Sequence, residues 1–300
     1  MNNSHAKTLI CIVGPTAVGK TELGLRIAQH YNTEIVSADS RQFYREMSVG
    51  TAKPTPGELN CVVHHFIDNL SIEDSYSAGQ YEIEGLACLE ELFKKHHEVV
   101  LVGGSGLFVN ALCFGLDQLP QPGANIRESI SLSFREKGIE PLQERLRQCD
   151  PDYFQEVDIH NPQRVIRALE VFESTGIPFS EWRRKQFKPR NFNIKTIGLT
   201  MERENLYNRI NVRVDRMMEN GLLQEVSALL PYRERPPLQS VGYTELFNYL
   251  DGKTNLKDAI DKIKQNTRRY AKRQLTWFRK NPDTKWIDAA EINGLNFDLL

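Results

Sequence analysis

The chain has little that would carry it out of a cell's aqueous interior. No apolar run approaches the roughly 20 residues that a membrane-spanning helix needs. The start from Met1 to Lys7 is polar, and the apolar run Leu9 to Val13 is too short for the core of a secretion signal, so a first buried strand is expected there. Cysteines are few: five in 300 residues, an odd number with no CxxC pair. That pattern points to free thiols in a reducing compartment rather than a disulfide framework. His64-His65 and His96-His97 have no cysteine at zinc spacing, so packed or solvated histidines are expected there instead of a metal centre. An excess of one charge is missing too, since the net charge is only −1. There is no internal repeat and no low-complexity tract. What remains is an ordinary globular composition, 40% hydrophobic and 26% charged, expected to be cytoplasmic and long enough for one large domain carrying an insertion.

The charge that is present is unevenly placed. Lys264 to Lys280 holds seven Lys/Arg and no acid, and Arg183 to Arg190 holds five, whereas Glu58 to Glu98 is mainly acidic. Local basic stripes on a neutral protein can hold a polyanion, although either stretch alone reads equally as a solvated face.

Apolar periodicity alternates between strand and helix in the first third. Strands are expected over Lys7 to Val13, Glu34 to Ala38 and Val99 to Val102, and helices over Thr21 to Tyr31, Ala78 to His96 and Gly106 to Phe114. Such alternation implies a parallel sheet covered by helices. From about Gly115 to Asn193 no strand is evident. Asn161-Pro162 opens a helix there as cap and first turn, and Gly176 closes it. Strand character returns at Asn193 to Thr200. Long helices are expected over Arg203 to Leu230 and Leu256 to Lys280, with a last strand at Thr284 to Asp288. The fold class is therefore α/β, a P-loop NTPase-like parallel sheet core with a helical insertion. Its expected parts are core residues 1–114, insertion 115–193, and core residues 194–300 ending in a basic helix.

The octet Gly14-Pro15-Thr16-Ala17-Val18-Gly19-Lys20-Thr21 matches GxxxxGK[ST], between a strand and a helix. Glycines let the backbone curl so that its N–H groups point inward at phosphate oxygens, and the next helix offers its positive end. Lys20 adds a point charge, and the Thr21 hydroxyl can bind Mg²⁺. The motif reads as ATP-binding, yet it identifies a phosphate or pyrophosphate without saying which molecule carries it. Asp39 follows the second strand, where a carboxylate opens into the same crevice. It can act as general base, or serve as a helix cap or an outer Mg²⁺ partner. Gly103-Gly104 permits either close approach of a ligand or a tight turn, with Ser105 facing the crevice.

Together these segments resemble the tRNA dimethylallyltransferase family, also called tRNA isopentenyltransferase. The matching stretches are GPTAVGKT at 14–21, DSRQFY at 39–44, GTAKP at 50–54, LVGGSGLF at 101–108, PQRVIRALEVF at 162–172, INVRVDRMMENGLLQEV at 210–226, VGYTEL at 241–246 and AKRQLTWFRK at 271–280. They span nearly the whole chain in the family's order. The resemblance implies transfer of a dimethylallyl group from dimethylallyl pyrophosphate to N6 of the adenosine 3′ of the anticodon, with Mg²⁺. Thr16 to Thr21 would then hold the donor's pyrophosphate. The tRNA contacts it implies are Asp39, Ser40, Arg41, Gln42, Ser105 and Arg127, together with Gln163, Arg164, Val165, Ile166 and Arg167. Ser105 stands where threonine is frequent, which keeps a hydroxyl, and Phe108 where tyrosine is frequent, which loses one.

On this reading Asp39 takes a proton from N6, Thr16 hydrogen-bonds the bridging oxygen, and Lys20, with Arg213 as a weaker addition, offsets charge on the leaving group. Gln42 and Ser40 could read the edge of the extruded base. Arg164 and Arg167 share a helix face suited to the anticodon-stem backbone, while Val165, Ile166, Leu169 and Phe172 pack. A monomer without membrane association is expected. Three rivals share part of the pattern: a P-loop kinase of a nucleoside or small metabolite, a prenyltransferase for free adenine nucleotide, and a non-catalytic RNA-binding NTP switch.

Overall fold

The computed structural model describes residues 6–117, 119–183 and 188–297. The first five residues of the polar start, and residues 184–187 of the basic stretch Arg183 to Arg190, lie outside them. The chain forms two compact units, Met1–Phe114 with Pro189–Leu300, and Gly115–Lys188.

The first unit is built on six strands: β1 (Thr8–Val13), β2 (Ile35–Ser37), β3 (His64–His65), β4 (Glu98–Val102), β5 (Asn193–Thr200) and β6 (Lys285–Asp288). They lie in the order β3-β2-β4-β1-β5-β6, and every pairing is parallel. β1 is central and buried at all six positions. Strand side chains alternate between faces, so a strand covered on both sides must be apolar throughout. Accordingly Leu9, Cys11 and Val13 pack with Tyr81, Leu89 and Leu112, while Ile10 and Ile12 pack on the other face with Leu23, Ile27 and Ile210.

Helices α1 (Lys20–His30), α2 (Pro56–Cys61), α3 (Ala78–Leu92) and α4 (Gly106–Phe114) belong to the first half of this unit. α2 begins with a capping box in which Thr55 and Glu58 satisfy each other's backbone N–H groups.

The second unit contains α5 (Ala124–Lys137), α6 (Glu140–Cys149), α7 (Pro151–Glu156), α8 (Pro162–Thr175) and α9 (Phe179–Trp182), with no strand among its described residues. Its core gathers Ile130, Leu142, Leu146, Val165, Leu169 and Phe179. α8 starts and stops as its sequence directs. The Asn161 side chain accepts the Arg164 N–H, Pro162 takes the first turn, and Gly176 ends the helix at φ +71°.

The chain then returns through β5 to α10 (Arg203–Glu219), α11 (Leu222–Ala228), α12 (Tyr243–Leu250) and α13 (Leu256–Phe278).

Four expectations are corrected. The insertion ends at Lys188, not Asn193, because Arg190 is tied into the core unit. Its guanidinium meets Glu82 at 3.1 Å and donates to the carbonyls of Leu112 and Ala111. Arg203 to Leu230 is not one helix: Asn220 caps α10, and Gly221 at φ +95° turns the chain into α11. β3 is an additional strand, which makes Val99 to Val102 part of the fourth strand rather than the third. The helix from Ala78 ends at Leu92, short of His96.

Candidate active site

A crevice of about 770 Å³ opens beyond the carboxyl ends of β1, β2 and β4, with every lining residue in the first unit. Open parallel sheets place their ligands at this edge. The turn after β1 curls through three positive-φ residues, Gly14 (+145°), Ala17 (+66°) and Gly19 (+111°). Ala17 pays for its left-handed conformation with about 1–2 kcal/mol of strain, a cost tolerated where a loop must present its N–H groups to one point. Thr16, Ala17, Gly19, Lys20 and Thr21 line the crevice. Gly14, Pro15 and Val18 support it from behind. Val18 is fully buried, and a Cβ on Gly14 would lie 2.7 Å from the Leu199 carbonyl oxygen. The Lys20 ammonium donates at 2.8 Å to the Pro15 carbonyl.

β2 delivers Asp39 to the same place. Its Oδ1 accepts the Arg41 N–H at 3.2 Å, a local turn bond. Its Oδ2 faces the crevice. A Cβ built on Gly104 would lie 3.6 Å from Asp39 Oδ2 and 3.6 Å from Lys20 Nζ, so the carboxylate and the ammonium face each other across one small gap floored by Gly104. The two glycines differ in purpose. A Cβ on Gly103 would meet the Ala38 carbonyl oxygen at 2.5 Å, which is tight packing between the ends of β2 and β4. Gly104, which borders the crevice as Gly103 does, would instead place a Cβ 2.6 Å from Gln274 Nε2.

α10 turns Arg213 and Arg209 into the crevice, and α13 contributes Tyr270, Arg273 and Gln274. Burial pulls the Lys20 ammonium down to about 8; the Asp39 carboxylate opposes that pull and the Arg213 guanidinium adds to it. Burial likewise lowers Arg213, against the charge of Asp39. The phenol of Tyr270 is pushed up to about 12, first by burial and then by Asp39. Cations held in a partly dried crevice around one carboxylate make a cradle for a polyanion.

The remaining expected residues occupy defined places. Arg41 and Gln42 line the crevice with Ser40, but the Gln42 amide nitrogen is committed to the carbonyls of Thr51 and Ala52, both at 3.2 Å. Ser105 acts behind the wall: its hydroxyl accepts the Ser40 N–H and meets the Ser40 hydroxyl, both at 3.0 Å. Phe108 packs with Phe43 and Tyr81. In the second unit Gln163 and Arg164 are exposed, whereas Val165 is fully buried and Ile166 packs beside it. Val165 therefore has no side-chain surface to offer a ligand.

Sequence reasoning missed three features. One is Gln274, given no role of its own within the basic stretch and the matching segment 271–280. Another is Tyr270. The third is Glu225, which accepts the N–H groups of Ser48, Val49 and Gly50 at 2.8, 2.7 and 3.0 Å and the Tyr243 hydroxyl at 2.6 Å. Thr51 and Ala52, held by Gln42, continue that segment, so the loop is pinned through both its donors and its acceptors.

The six-stranded parallel sheet and the glycine-rich turn after its central strand define an α/β protein of the P-loop NTPase-like class, carrying a helical insertion. Within that class, the model of the family described as IPP transferase matches residues 42–281, and the chain belongs to this family. The match starts beyond both the loop and Asp39, so it is independent of them. The chain is 50% identical over 292 residues to a tRNA dimethylallyltransferase of Christiangramia forsetii, covering 97% of each protein. It is 50% identical to tRNA dimethylallyltransferase 1 of Bacteroides thetaiotaomicron, covering 93% of this chain and 91% of that one. Among solved structures it resembles the tRNA isopentenylpyrophosphate transferase of Bacillus halodurans, with TM-score 0.70, 38% identity, and 96% and 94% of the two chains covered. A eukaryotic dimethylallyltransferase acting on tRNA matches with TM-score 0.77 and 27% identity, over 95% of this chain and 74% of that one. The family resemblance carried by the motifs and these comparisons agree.

Proposed function

We propose that this protein transfers a dimethylallyl group from dimethylallyl pyrophosphate to N6 of the adenosine 3′ of the anticodon in tRNA, releasing pyrophosphate. One observation carries the mechanism: Lys20 and Asp39 face each other across Gly104 in a single crevice. In the reaction the N6–C1 bond forms as the C1–O bond to pyrophosphate breaks, and the N6 proton passes to Asp39 Oδ2. The exocyclic amine is a weak nucleophile, and a positioned base typically contributes about 10²–10⁴-fold. Negative charge grows on the departing pyrophosphate, where Lys20, Arg213 and the loop's N–H groups oppose it. Thr16 hydrogen-bonds the bridging oxygen. A crevice of about 770 Å³ has room for a small prenyl diphosphate and one extruded base.

Mg²⁺ fits the residues present. Thr21 and Asp39 both bring hard oxygen donors to the crevice wall. Among the described residues no group of three or more His, Cys, Asp or Glu could hold a metal ion. When bound, the ion would neutralise pyrophosphate charge.

The tRNA would be gripped by Arg127, Gln163, Arg164 and Arg167 of the helical unit, and read near the crevice by Ser40, Arg41 and Gln42, with Ser105 holding Ser40. We take the working unit to be a monomer. No helix among the described residues is long and apolar enough to cross a membrane. A tRNA substrate is the reason we place the enzyme in the cytoplasm.

The test is to incubate purified protein with unmodified tRNA, dimethylallyl pyrophosphate and Mg²⁺, then analyse the nucleosides by mass spectrometry. N6-(dimethylallyl)adenosine beside the anticodon is expected. A product formed from AMP but not from tRNA would overturn the acceptor assignment.

A further inference from the structure

α13 carries a run of basic residues, yet the uncharged Gln274 is among the side chains it brings to the crevice. Gln274 is only 5% exposed, and its amide is used at both ends. Oε1 accepts the Thr16 N–H at 2.8 Å, and Nε2 donates to the Gly104 carbonyl at 2.8 Å. The side chain thus joins the turn after β1 to the turn after β4, the two turns that bound the gap between Lys20 and Asp39. Gly104 must lack a side chain here, because a Cβ would stand 2.6 Å from Gln274 Nε2. A carboxamide both accepts and donates. Glutamate at this position could accept from Thr16 but not donate to Gly104, and methionine could do neither.

The Thr16 N–H is consequently engaged by protein rather than offered to a ligand. What the bond fixes is the orientation of the Thr16 peptide, and with it the direction of the Thr16 hydroxyl on the crevice wall.

We infer that Gln274 is a positioning residue that aims the Thr16 hydroxyl at the diphosphate oxygen from which the prenyl carbon departs. This rests on the reading of the crevice given above. A hydrogen bond to a leaving oxygen strengthens as charge accumulates on it, so misdirecting the donor costs turnover more than substrate binding.

The experiment is a double-mutant cycle on the full chain, with unmodified tRNA and dimethylallyl pyrophosphate. Thr16→Val and Gln274→Met should each lower kcat roughly 10- to 100-fold, with the KM for the prenyl donor changing no more than about 3-fold. The double variant should be no slower than the slower single one, because the two residues act as a unit. Gln274→Glu keeps the acceptor for Thr16 while adding negative charge beside the cradle. Its kcat should fall less than that of Gln274→Met, because the acceptor for Thr16 is kept, while its donor KM rises. It also serves as the second variant if Gln274→Met folds poorly by thermal melt. Multiplicative losses in the double variant, a Gln274→Met defect confined to KM, or a Gln274→Glu kcat as low as that of Thr16→Val would each overturn the inference. If the parent protein makes no prenylated adenosine at all, the proposed function fails instead, so the two failures are distinguishable.

Discussion

Arg127 and Arg167, 40 positions apart in sequence, converge on one carboxylate: Glu170 accepts from Arg127 Nε at 2.9 Å and from Arg167 Nη1 at 3.2 Å. Arg167 also donates to the Pro120 carbonyl at 2.9 Å. Glu170 is 4% exposed while the Arg127 side chain is 63% exposed, so a buried anchor holds one guanidinium that reaches solvent. A long cationic side chain fixed in advance loses less freedom when it meets a phosphate. Glu170→Ala should therefore weaken tRNA binding roughly 10-fold, from about 0.5–1.5 kcal/mol for each of the two side chains released. Fluorescence anisotropy with labelled tRNA at fixed salt measures this. Tighter binding, as the removal of one negative charge alone would give, would show that the anchor is not serving recognition.

Replacing Asp39 is expected to separate chemistry from affinity. Its Oδ2 faces Lys20 across the gap, while its Oδ1 serves a local turn. Asp39→Asn keeps the shape and the turn acceptor but cannot take the N6 proton. Turnover should fall about 10²–10⁴-fold, with tRNA affinity changed no more than about 3-fold. Single-turnover prenylation beside a tRNA binding isotherm checks both. Near-parental turnover would remove Asp39 as the base.

The loop at 48–52 depends on a residue far away in sequence. Glu225 takes three consecutive backbone N–H groups and the Tyr243 hydroxyl, and a Cβ on Gly50 would meet that hydroxyl at 2.6 Å. Hydrogen bonds to a charged group contribute about 1.5–3 kcal/mol each, but a partly solvated site regains some of that from water, so Glu225→Ala should destabilise the fold by about 2–3 kcal/mol. Urea unfolding gives the value. Limited proteolysis should find its new cleavage point near Gly50.

Much of this was legible in the sequence for identifiable reasons. β1, β4 and α1 carry their own signals, an apolar strand buried on both faces and a helix stripe following a phosphate-loop motif. The insertion announced itself by losing strand character and by the Asn161-Pro162 start of α8. Other features were hidden because their causes are non-local. β3 is two histidines, and only pairing with Ile35 and Val36 makes them a strand. Gln274 contacts a residue 258 positions away, which no local pattern encodes. The α10–α11 break had a signal in Asn220-Gly221, overridden by apolar periodicity that continues on both sides. Arg213, expected only as a weaker addition to the charges around the leaving group, lines the crevice. Helix periodicity alone does not say which exposed stripe faces a ligand.

At the opposite, amino-terminal end of the sheet, Glu34 gives a pH test of stability that is independent of the crevice. His65 Nε2 lies 2.7 Å from one of its oxygens and His96 Nε2 lies 3.5 Å from the other. Burial pushes the Glu34 carboxyl up, but the hydrogen bonds and charge of the two histidines outweigh burial and leave it below its ordinary value of 4.5. A carboxyl that binds its proton less readily when folded than when unfolded stabilises the fold at pH values above the ordinary carboxylate range. That contribution disappears as pH falls through the lowered, folded value. Thermal melts of the parent and Glu34→Gln should therefore differ most near neutrality down to about pH 5, and converge in more acid buffer as the parent's carboxyl takes up its proton. A gap between the two melting curves that widens on acidification would carry the wrong sign, and would remove the Glu34–histidine cluster as a source of stability.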